Sequence, residues 1–362
     1  MFLAGGHGVI VLPCGAGKTV VGIAALAALG MRTLILATNI QAVRQWIGEL
    51  LDKTTLSPAE VGEYSGQQKQ LRPVTVTTYS ILTRRQGERY PHFELLDREQ
   101  FGLLIYDEVH LLPAPVFRLT ADLQARRRLG LTATLIREDG READVFSLIG
   151  PKRHDVPWKD MERQGWIAEA SCYEMRIDTP PEVRLFAATR EEPAEEFRVA
   201  SSSPTKLLAL REIVLRHAGE SVLVIGQYLD QLADAGRLLG APVITGQTPE
   251  AERSRLYQAF RTRELPVLVV SKVANFAIDL PEASVCVQIS GSFGSRQEEA
   301  QRLGRVLRPK ADGRGAVFYT LVAKDTCEQR FALHRQLFLT EQGYRYFVED
   351  WMLAGSPERV TA

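Results

Sequence analysis

The sequence predicts an α/β fold made of two tandem lobes, each a parallel β-sheet covered by helices. Short, nearly continuous apolar runs alternate with amphipathic stretches over residues 8–131, and the same rhythm recurs over residues 201–321. Near-continuous apolar strands separated by helices are typical of parallel sheets with both faces buried. The length agrees, because 362 residues suit two domains of ~100–200 residues each.

Each lobe contributes short apolar strands and longer helical stretches. In the first lobe we expect strands over 8–12, 33–37, 74–78, 103–106 and 128–131, with helices over 20–29 and 41–51. In the second lobe we expect strands over 221–225, 243–245, 266–270, 284–289 and 315–321, with helices over 206–217, 227–239 and 249–263. This alternation is what a parallel sheet with helical crossovers requires.

The stretch between the lobes differs in composition. Residues 151–203 are richer in Pro, Glu and Arg and have a weaker periodicity, which is typical of a linker with a small inserted element. We therefore divide the chain into a first lobe (1–150), this linker (151–203), a second lobe (204–347) and a tail (348–362).

Composition and charge exclude several classes of protein. Lys plus Arg (44) balances Asp plus Glu (44), so any surface for a polyanion has to be a local patch. The four cysteines are widely spaced and form no Cys-x-x-Cys pair, which disfavours a zinc site and suits reduced intracellular thiols. The apolar stretch Val20 to Met31 is too short to cross a membrane. We expect no membrane partner and a cytoplasmic location.

The strongest local signal is a glycine-rich loop between a predicted strand and a predicted helix, Leu12-Pro-Cys-Gly-Ala-Gly-Lys-Thr19. Such a loop turns backbone N–H groups towards a phosphate at a helix N-terminus. Lys18 is placed to reach the β- and γ-phosphates of ATP, and the hydroxyl of Thr19 to ligate Mg²⁺. We expect the nucleotide to be held by Gly15, Ala16, Gly17, Lys18 and Thr19. The strict pattern has glycine at the position of Leu12, and the alternative is an ordinary glycine-rich turn.

Two carboxylates follow the apolar strand over 103–106. We expect Asp107 to hold Mg²⁺, directly or through water, and Glu108 to polarise an attacking water. Alone, a strand that ends in Asp-Glu is weak evidence. After a phosphate loop it is strong, because the two elements converge at the carboxyl edge of one sheet.

Three further residues are candidates for coupling the nucleotide site to movement. His110 lies just beyond the two carboxylates, and Thr132 and Thr134 lie at the end of a later strand. Their hydroxyls suit hydrogen bonds to the loop over 107–110. The alternatives are a surface histidine and threonines that reflect strand propensity.

In the second lobe, Gln301, Arg305 and Arg308 share one face of a predicted helix, because spacings of four and three return after about one turn. The two arginines are then placed to reach across a cleft and stabilise charge on the γ-phosphate, as arginine fingers do. The alternative is a solvated basic helix face.

Together these segments resemble superfamily-two helicases of the DEAH-box type and, more narrowly, the XPB family of DNA repair helicases. The likeness runs from about Gly8 to about Gly343. It rests on the segments Asp107 to His110, Leu129 to Asp139, Ile149 to Lys152, Trp166 to Ala168, Ser271 to Pro281, and Ser295 to Arg308.

The resemblance implies two RecA-like lobes with an ATP cleft between them, ATP and Mg²⁺ as cofactors, and 3′-to-5′ movement on DNA. It also implies a thumb-like insertion near 183–200, a role for Asp279 at the nucleotide, and a repair nuclease or other repair proteins as partners. Residues Arg137, Glu138 and Asp139 are implied to engage DNA. From the residues alone, that triplet is a charged turn after a strand.

The sequence departs from the family at two places. Asn275 and Phe276 stand where relatives often carry Gly-Asp, which affects the contact of this loop with ATP or DNA. The phosphate loop also lies within the first twenty residues, so we expect the segment that recognises the base of ATP to be lacking. Two other functions fit the same motifs: the motor of a restriction or defence system, and a nucleotide-dependent DNA-binding scaffold with weak turnover.

Overall fold

The chain folds as two α/β units, Met1–Pro157 and Trp158–Ala362. The computed structural model describes residues 2–13, 16–112, 118–133, 142–166, 168–190, 192–271, 283–291, 315–341 and 343–352. Among these residues, no helix is both long and apolar enough to span a membrane.

The first unit is built on a seven-stranded sheet with the order β3-β4-β2-β5-β6-β1-β7. The pairs between these seven strands are all parallel. The strands are β1 (His7–Val11), β2 (Thr33–Ala37), β3 (Val61–Tyr64), β4 (Val74–Thr78), β5 (Leu103–Asp107), β6 (Arg127–Thr132) and β7 (Lys152–Asp155). The helices are α1 (Phe2–Gly5), α2 (Lys18–Leu29), α3 (Ile40–Lys53), α4 (Tyr79–Leu82), α5 (Pro91–Arg98) and α6 (Glu142–Ile149), with 3₁₀ turns at Val109–Leu111 and Leu119–Asp122.

The central strands of this sheet are buried on both faces. On β2, Leu34 and Leu36 belong to one apolar cluster and Ile35 to the other, as the two-residue alternation of a strand requires. Helices α2 and α3 cover the face of Ile35, whereas α5 and α6 cover the opposite face. Apolar burial on both faces therefore holds the carboxyl ends of these strands at one edge of the sheet.

The second unit repeats this design with the strand order β10-β11-β9-β12-β13-β8-β14, and its described residues form only parallel strand pairs. Its strands are β8 (Ala170–Ile177), β9 (Val222–Gly226), β10 (Val243–Ile244), β11 (Val267–Ser271), β12 (Val285–Gln288), β13 (Ala316–Ala323) and β14 (Arg345–Trp351). Its helices are α7 (Trp158–Arg163), α8 (Pro181–Ala188), α9 (Pro193–Ser201), α10 (Thr205–Arg216), α11 (Leu229–Leu239), α12 (Glu250–Arg261) and α13 (Cys327–Glu341). The prediction of two parallel-sheet α/β lobes is confirmed.

A fully buried ion pair lies inside the second unit. The ammonium of Lys206 contacts both carboxylate oxygens of Glu328, at 2.8 and 2.7 Å, and both side chains have zero exposure. It also donates to the carbonyl oxygens of Ile289 and Leu321. Because a buried charge is costly unless it is paired and hydrogen-bonded, this network ties α10, α13 and the ends of two strands into one arrangement.

The segment over 151–203 is not simply a linker. It contains β7, which pairs with β1, and β8, which is flanked by β13 and β14 in the second sheet. Sequence patterns missed both strands because β7 is a polar edge strand and β8 alternates buried and partly exposed residues. The expected tail likewise includes the end of β14, an edge strand whose only buried residue is Trp351. Helices α8 and α9 occupy the region where a thumb-like insertion is expected, and that role stays a prediction.

Candidate active site

The phosphate loop joins β1 to α2 in the first unit. Gly17 immediately precedes α2 and has a φ of 87°, in the left-handed region that glycine adopts without strain. Because glycine has no side chain, it does not cap the first N–H groups of α2, an arrangement that favours an anion at this end of the helix. Ala16 donates its N–H to the carbonyl of Pro13, and Thr19 is the second residue of the helix.

Lys18, the first residue of α2, forms an ion pair with Glu108 beyond β5. Its Nζ lies 2.9 Å from Oε1 of Glu108, and the two side chains are only 13% and 20% exposed. Residues far apart in the sequence therefore meet where the strand ends converge. The ion pair therefore places a cation and a carboxylate side by side at the start of α2.

Asp107 is the last residue of β5, and its carboxylate is held from two directions. Trp46 donates its indole N–H to Oδ2 at 3.0 Å, and the backbone N–H of Glu108 donates to Oδ1 at 3.1 Å. Desolvation, followed by the negative charge of Glu108, raises the pKa of Asp107 to about 6, against the opposing effect of Lys18. A carboxylate that is costly to charge by itself gains most when a cation is bound beside it.

Glu108 adopts a backbone conformation that is uncommon for its residue type. Its φ is 51° and ψ is 50°, and the 3₁₀ turn Val109–Leu111 begins directly after it. Gly130 on β6 makes room for this turn, because a β-carbon there would come within 2.9 Å of the Val109 side chain. Left-handed non-glycine residues cost ~1–3 kcal/mol and cluster at functional sites. The turn thus directs Glu108 back towards Lys18.

His110 is buried within the same turn and contacts the end of β6. Its Nδ1 lies 2.8 Å from the hydroxyl of Thr132 and 3.3 Å from Oε2 of Glu108. The structure therefore brings together the candidate water-activating residue and two of the candidate coupling residues. A movement of the end of β5 or of β6 would therefore move the carboxylate of Glu108.

Several candidate residues lie outside the described residues. They are Gly15, Thr134, Arg137, Glu138, Asp139, Asp279, Gln301, Arg305 and Arg308. Their expected roles stay predictions.

Two residues at this site were not anticipated from the sequence. Trp46 on α3 is 2% exposed, and Gly22 of α2 provides the space for its ring, because a β-carbon at Gly22 would lie 2.6 Å from Cη2 of the indole. Tyr79 donates its hydroxyl to the carbonyl of Asp107 at 2.8 Å. The sequence signal for Trp46 was only its place on the apolar face of a helix, which predicts a core residue.

The polar side chains at this edge of the sheet fit a nucleoside triphosphate with Mg²⁺. The ammonium of Lys18 lies beside an uncapped helix N-terminus, which suits phosphate oxygens. The oxygens of Thr19 and Asp107 are of the type that Mg²⁺ prefers, and the raised pKa of Asp107 suits a carboxylate that is neutralised by a metal.

Comparison with known proteins assigns the family. Residues 161–354, more than half of the chain, match the family model described as the ERCC3/RAD25/XPB C-terminal helicase. The chain belongs to the XPB family. Residues 4–137 match a second model, described as the res subunit of type III restriction enzymes. The XPB resemblance that the sequence motifs indicated is therefore confirmed.

Curated XPB-family proteins are similar over nearly all of this chain. The DNA 3′-5′ helicase XPB of Mycobacterium tuberculosis is 62% identical over 349 residues, which is 96% of this chain and 63% of that protein. The XPB helicase of Kineococcus radiotolerans is 61% identical, with 96% of this chain and 62% of that protein covered. The chain thus spans about three fifths of the length of these relatives.

A solved structure agrees with the fold. The ATP-dependent type ISP restriction-modification enzyme LlaBIII bound to DNA matches with a TM-score of 0.71 at 13% identity, covering 99% of this chain and 30% of that chain. At this identity the likeness concerns the fold alone. It supports the two RecA-like lobes that the XPB-family resemblance implied.

Proposed function

We propose that the chain is the motor core of an ATP-dependent 3′-5′ DNA helicase or double-strand DNA translocase that acts in DNA repair. The observation that carries the proposal is the Lys18–Glu108 ion pair beside the carboxylate of Asp107. A phosphate-binding lysine, a metal-binding carboxylate and a water-activating carboxylate are the parts that ATP hydrolysis requires. The XPB relatives are named DNA 3′-5′ helicases, which supports DNA as the track and the 3′-to-5′ direction.

The residues of the first unit would have distinct roles in ATP hydrolysis. Lys18 and the start of α2 would hold the phosphates, while Thr19 and Asp107 would hold Mg²⁺. The bound Mg²⁺-ATP would supply the phosphoanhydride bond and the charge that neutralises Asp107. When Lys18 turns to phosphate oxygens, it leaves Glu108, whose carboxylate is then available to orient a water and accept its proton.

Coupling to DNA would pass through the turn that contains His110. Its contacts to Thr132 and Glu108 join the hydrolytic carboxylate to the end of β6, and the segment Thr134 to Asp139 follows that strand in the sequence. We infer that Arg137, Glu138 and Asp139 engage DNA there. Gln301, Arg305 and Arg308 would complete the nucleotide site from the second lobe, with Asp279 near the nucleotide.

The test is ATP hydrolysis by the chain with and without DNA, followed by strand separation on partial duplexes. We expect DNA to stimulate hydrolysis, and a duplex with a 3′ overhang to be unwound in preference to one with a 5′ overhang. Hydrolysis without strand separation would indicate that the chain moves along duplex DNA without unwinding it. DNA binding without hydrolysis would instead favour the nucleotide-dependent scaffold.

A restriction or defence motor is the second candidate, and the match of residues 4–137 to a restriction-enzyme family favours it. A repair motor has to move over any sequence, so its contacts should be mainly to phosphates. ATP hydrolysis that depends on one short DNA sequence would favour the restriction motor. Equal stimulation by unrelated sequences would favour repair. A repair nuclease or another repair protein is the partner we propose for that role.

A further inference from the structure

A group of cations lies at the amino edge of the first sheet, where its strands begin and opposite the candidate active site. We define the amino-edge cluster as His7, Arg127, Arg128 and Arg153. His7 is the first residue of β1, the two neighbouring arginines begin β6, and Arg153 is the second residue of β7. Because β1 lies between β6 and β7, the starts of these three strands are adjacent.

Two of the arginines pack against the short stretch 3–8, which leads into β1. Arg127 donates from Nη1 to the carbonyl of Leu3 at 3.5 Å, and Arg153 donates from Nε to the carbonyl of His7 at 2.9 Å. These carbonyls orient the guanidinium groups but do not neutralise their charge.

Consecutive glycines let the two guanidinium groups lie directly against the backbone. A β-carbon at Gly5 would collide with the guanidinium of Arg153, and one at Gly6 with that of Arg127. Both arginine side chains are only partly buried. Since a guanidinium has five N–H donors in a fixed arrangement, each arginine keeps donors for a ligand beyond its single carbonyl contact.

Arg128 has a structural role within the cluster. Its two terminal nitrogens donate to the carbonyls of Leu148 and Leu123, at 3.0 and 2.9 Å. Leu148 lies in the last turn of α6, where a cation is favourable because the carbonyls of that turn lack helical partners. Arg128 therefore adds charge to the cluster but is unsuitable for substitution.

The positive charges of the cluster are not balanced by carboxylates. Within the part of the chain that the structure describes, no carboxylate forms an ion pair with the three arginines of the cluster. By contrast Arg32, which precedes β2 at the same edge, pairs with Glu99. Desolvation, and after it the charges of the three arginines, lowers the pKa of His7. Like charges held together are relieved by an anion bound among them.

The position of the cluster separates its ligand from the nucleotide. Four residue steps of ~3.3 Å, or about 13 Å, lie between His7 and Val11 along β1, and the phosphate loop begins beyond Val11. An anion at the amino edge is therefore not a phosphate of the ATP that the phosphate loop would hold.

An exposed apolar side chain beside the cluster indicates what kind of anion fits. Leu3 in α1 is 48% exposed, and its carbonyl accepts the N–H of Arg127. A peptide can place an apolar side chain on Leu3 while its carboxylates meet the arginines. The phosphates of a nucleic acid would satisfy the arginines but would leave this leucine without an apolar partner.

We propose that the amino-edge cluster binds an acidic peptide segment of a partner protein. Arg127 and Arg153 would each accept a carboxylate, which matches the paired N–H donors of a guanidinium. An apolar side chain of the peptide would cover Leu3. The inference goes beyond the proposed function and does not depend on it, because neither nucleotide nor DNA takes part in the contact.

The experiment measures the fluorescence anisotropy of a labelled Glu-Glu-Leu-Glu-Glu peptide with the chain, beside a peptide in which glutamine replaces every glutamate. We expect saturable binding of the acidic peptide alone. Arg153→Gln should weaken it at least about tenfold, as the loss of hydrogen bonds between charged groups does. Arg153→Lys keeps the charge but loses the paired donors, and should fall between the two.

Arg72→Gln is the matched control for the loss of one positive charge. Arg72 is exposed and shortly precedes β4 at the same edge, five strands from β7, which is about 24 Å at ~4.8 Å per strand. It should leave peptide binding unchanged. No saturable binding of the acidic peptide, or an equal loss in Arg72→Gln and Arg153→Gln, would overturn the proposal.

A variant that adds charge keeps the test decisive if Arg153→Gln is less stable than the unmodified chain. His7 is exposed, so His7→Lys should be tolerated. Its permanent positive charge should tighten binding of the acidic peptide several-fold. An unchanged affinity in His7→Lys would contradict a carboxylate ligand at this edge.

Nuclear magnetic resonance of His7 tests where the peptide binds. The chain has six histidines, and the resonance that disappears in His7→Gln identifies the one required. Bound carboxylates favour the protonated imidazole, so saturating peptide should raise the pKa of His7. A pKa of His7 that the bound peptide does not change would place the peptide elsewhere and overturn the proposal.

Duplex DNA is the competing ligand. We expect Arg153→Gln to change DNA binding no more than Arg72→Gln does, and Leu3→Ala to weaken peptide binding but not DNA binding. A larger loss of DNA binding than of peptide binding in Arg153→Gln would assign the cluster to DNA instead. Because the peptide is titrated without nucleotide or DNA, a chain that hydrolyses no ATP would refute the proposed function and leave the peptide result valid.

Discussion

The hydrogen bond from Trp46 to Asp107 predicts how magnesium dependence should respond to a single substitution. Trp46→Phe keeps an aromatic ring on α3 but removes the N–H that donates to Oδ2 of Asp107 at 3.0 Å. A hydrogen bond to a charged group contributes ~1.5–3 kcal/mol, and the loss of a group that orients a metal ligand typically weakens metal binding by ~10–100-fold. We expect the Mg²⁺ concentration for half-maximal ATP hydrolysis to rise at least about tenfold.

The assay is steady-state ATP hydrolysis across a magnesium titration, with the rate at saturating Mg²⁺ as a second readout. That rate should fall far less than the magnesium affinity, because Trp46 acts through Asp107 and does not touch the phosphates. Trp158→Phe, a buried tryptophan of the second unit, controls for the loss of indole volume. A Trp46→Phe variant with an unchanged magnesium midpoint, or a shift no larger than that of Trp158→Phe, would refute this reasoning.

Three further predictions concern the carboxylates and the buried ion pair. Glu108→Gln should retain ATP binding, measured by nucleotide titration, but lose most hydrolysis because the amide cannot accept the proton of water. The pKa of Asp107 is raised to about 6 from an unfolded value of ~3.9, so in the metal-free chain its contribution favours folding at low pH and is lost as the pH rises from about 4 to 6. Asp107→Asn should remove that part of the pH dependence in urea unfolding. Lys206→Met should destabilise the second unit by ~3–5 kcal/mol, because Glu328 is left as an unpaired buried charge.

Each of these predictions has a result that would contradict it, and the prediction for Lys206 also has a control variant. Lys324→Met breaks an exposed ion pair with Asp350 and should change the free energy of unfolding by less than ~1 kcal/mol. A Lys206→Met variant as stable as Lys324→Met would contradict the role of the buried pair. Near-normal hydrolysis by Glu108→Gln would show that Glu108 does not activate the water. Identical pH profiles of unfolding for the unmodified chain and Asp107→Asn would show that Asp107 does not cause this part of the pH dependence.

Strands such as β2 and β4 could be predicted because all of their residues are apolar or β-branched. The ranges expected for 33–37 and 74–78 coincide with β2 and β4. The edge strands β3, β7 and β14 could not be predicted in this way, since one partner strand and a solvent-facing side allow polar residues. In β7, Lys152 to Asp155 are all charged or histidine, and β3 contains a glycine and a glutamate within four residues.

The candidate site also contains both contacts that could be predicted from the sequence and contacts that could not. The approach of Lys18 to Glu108 could be predicted, because it follows from motif order and parallel topology. The hydrogen bond from Trp46 could not be predicted, because it depends on how α3 packs over β5 and on the space that Gly22 leaves for the ring. Backbone conformations such as the left-handed φ of Glu108 are likewise set by tertiary contacts, here with Gly130.

The most direct test of the central claim is the rate of ATP hydrolysis by the chain and by Lys18→Ala, with and without duplex DNA. The substitution removes the ammonium that pairs with Glu108 but leaves the glycines of the loop and the apolar core of the first unit unchanged. We predict DNA-stimulated hydrolysis by the unmodified chain, and its loss in a Lys18→Ala variant whose circular dichroism spectrum is unaltered. Hydrolysis at a near-normal rate in the folded Lys18→Ala variant would contradict the assignment of this edge of the sheet as the nucleotide site.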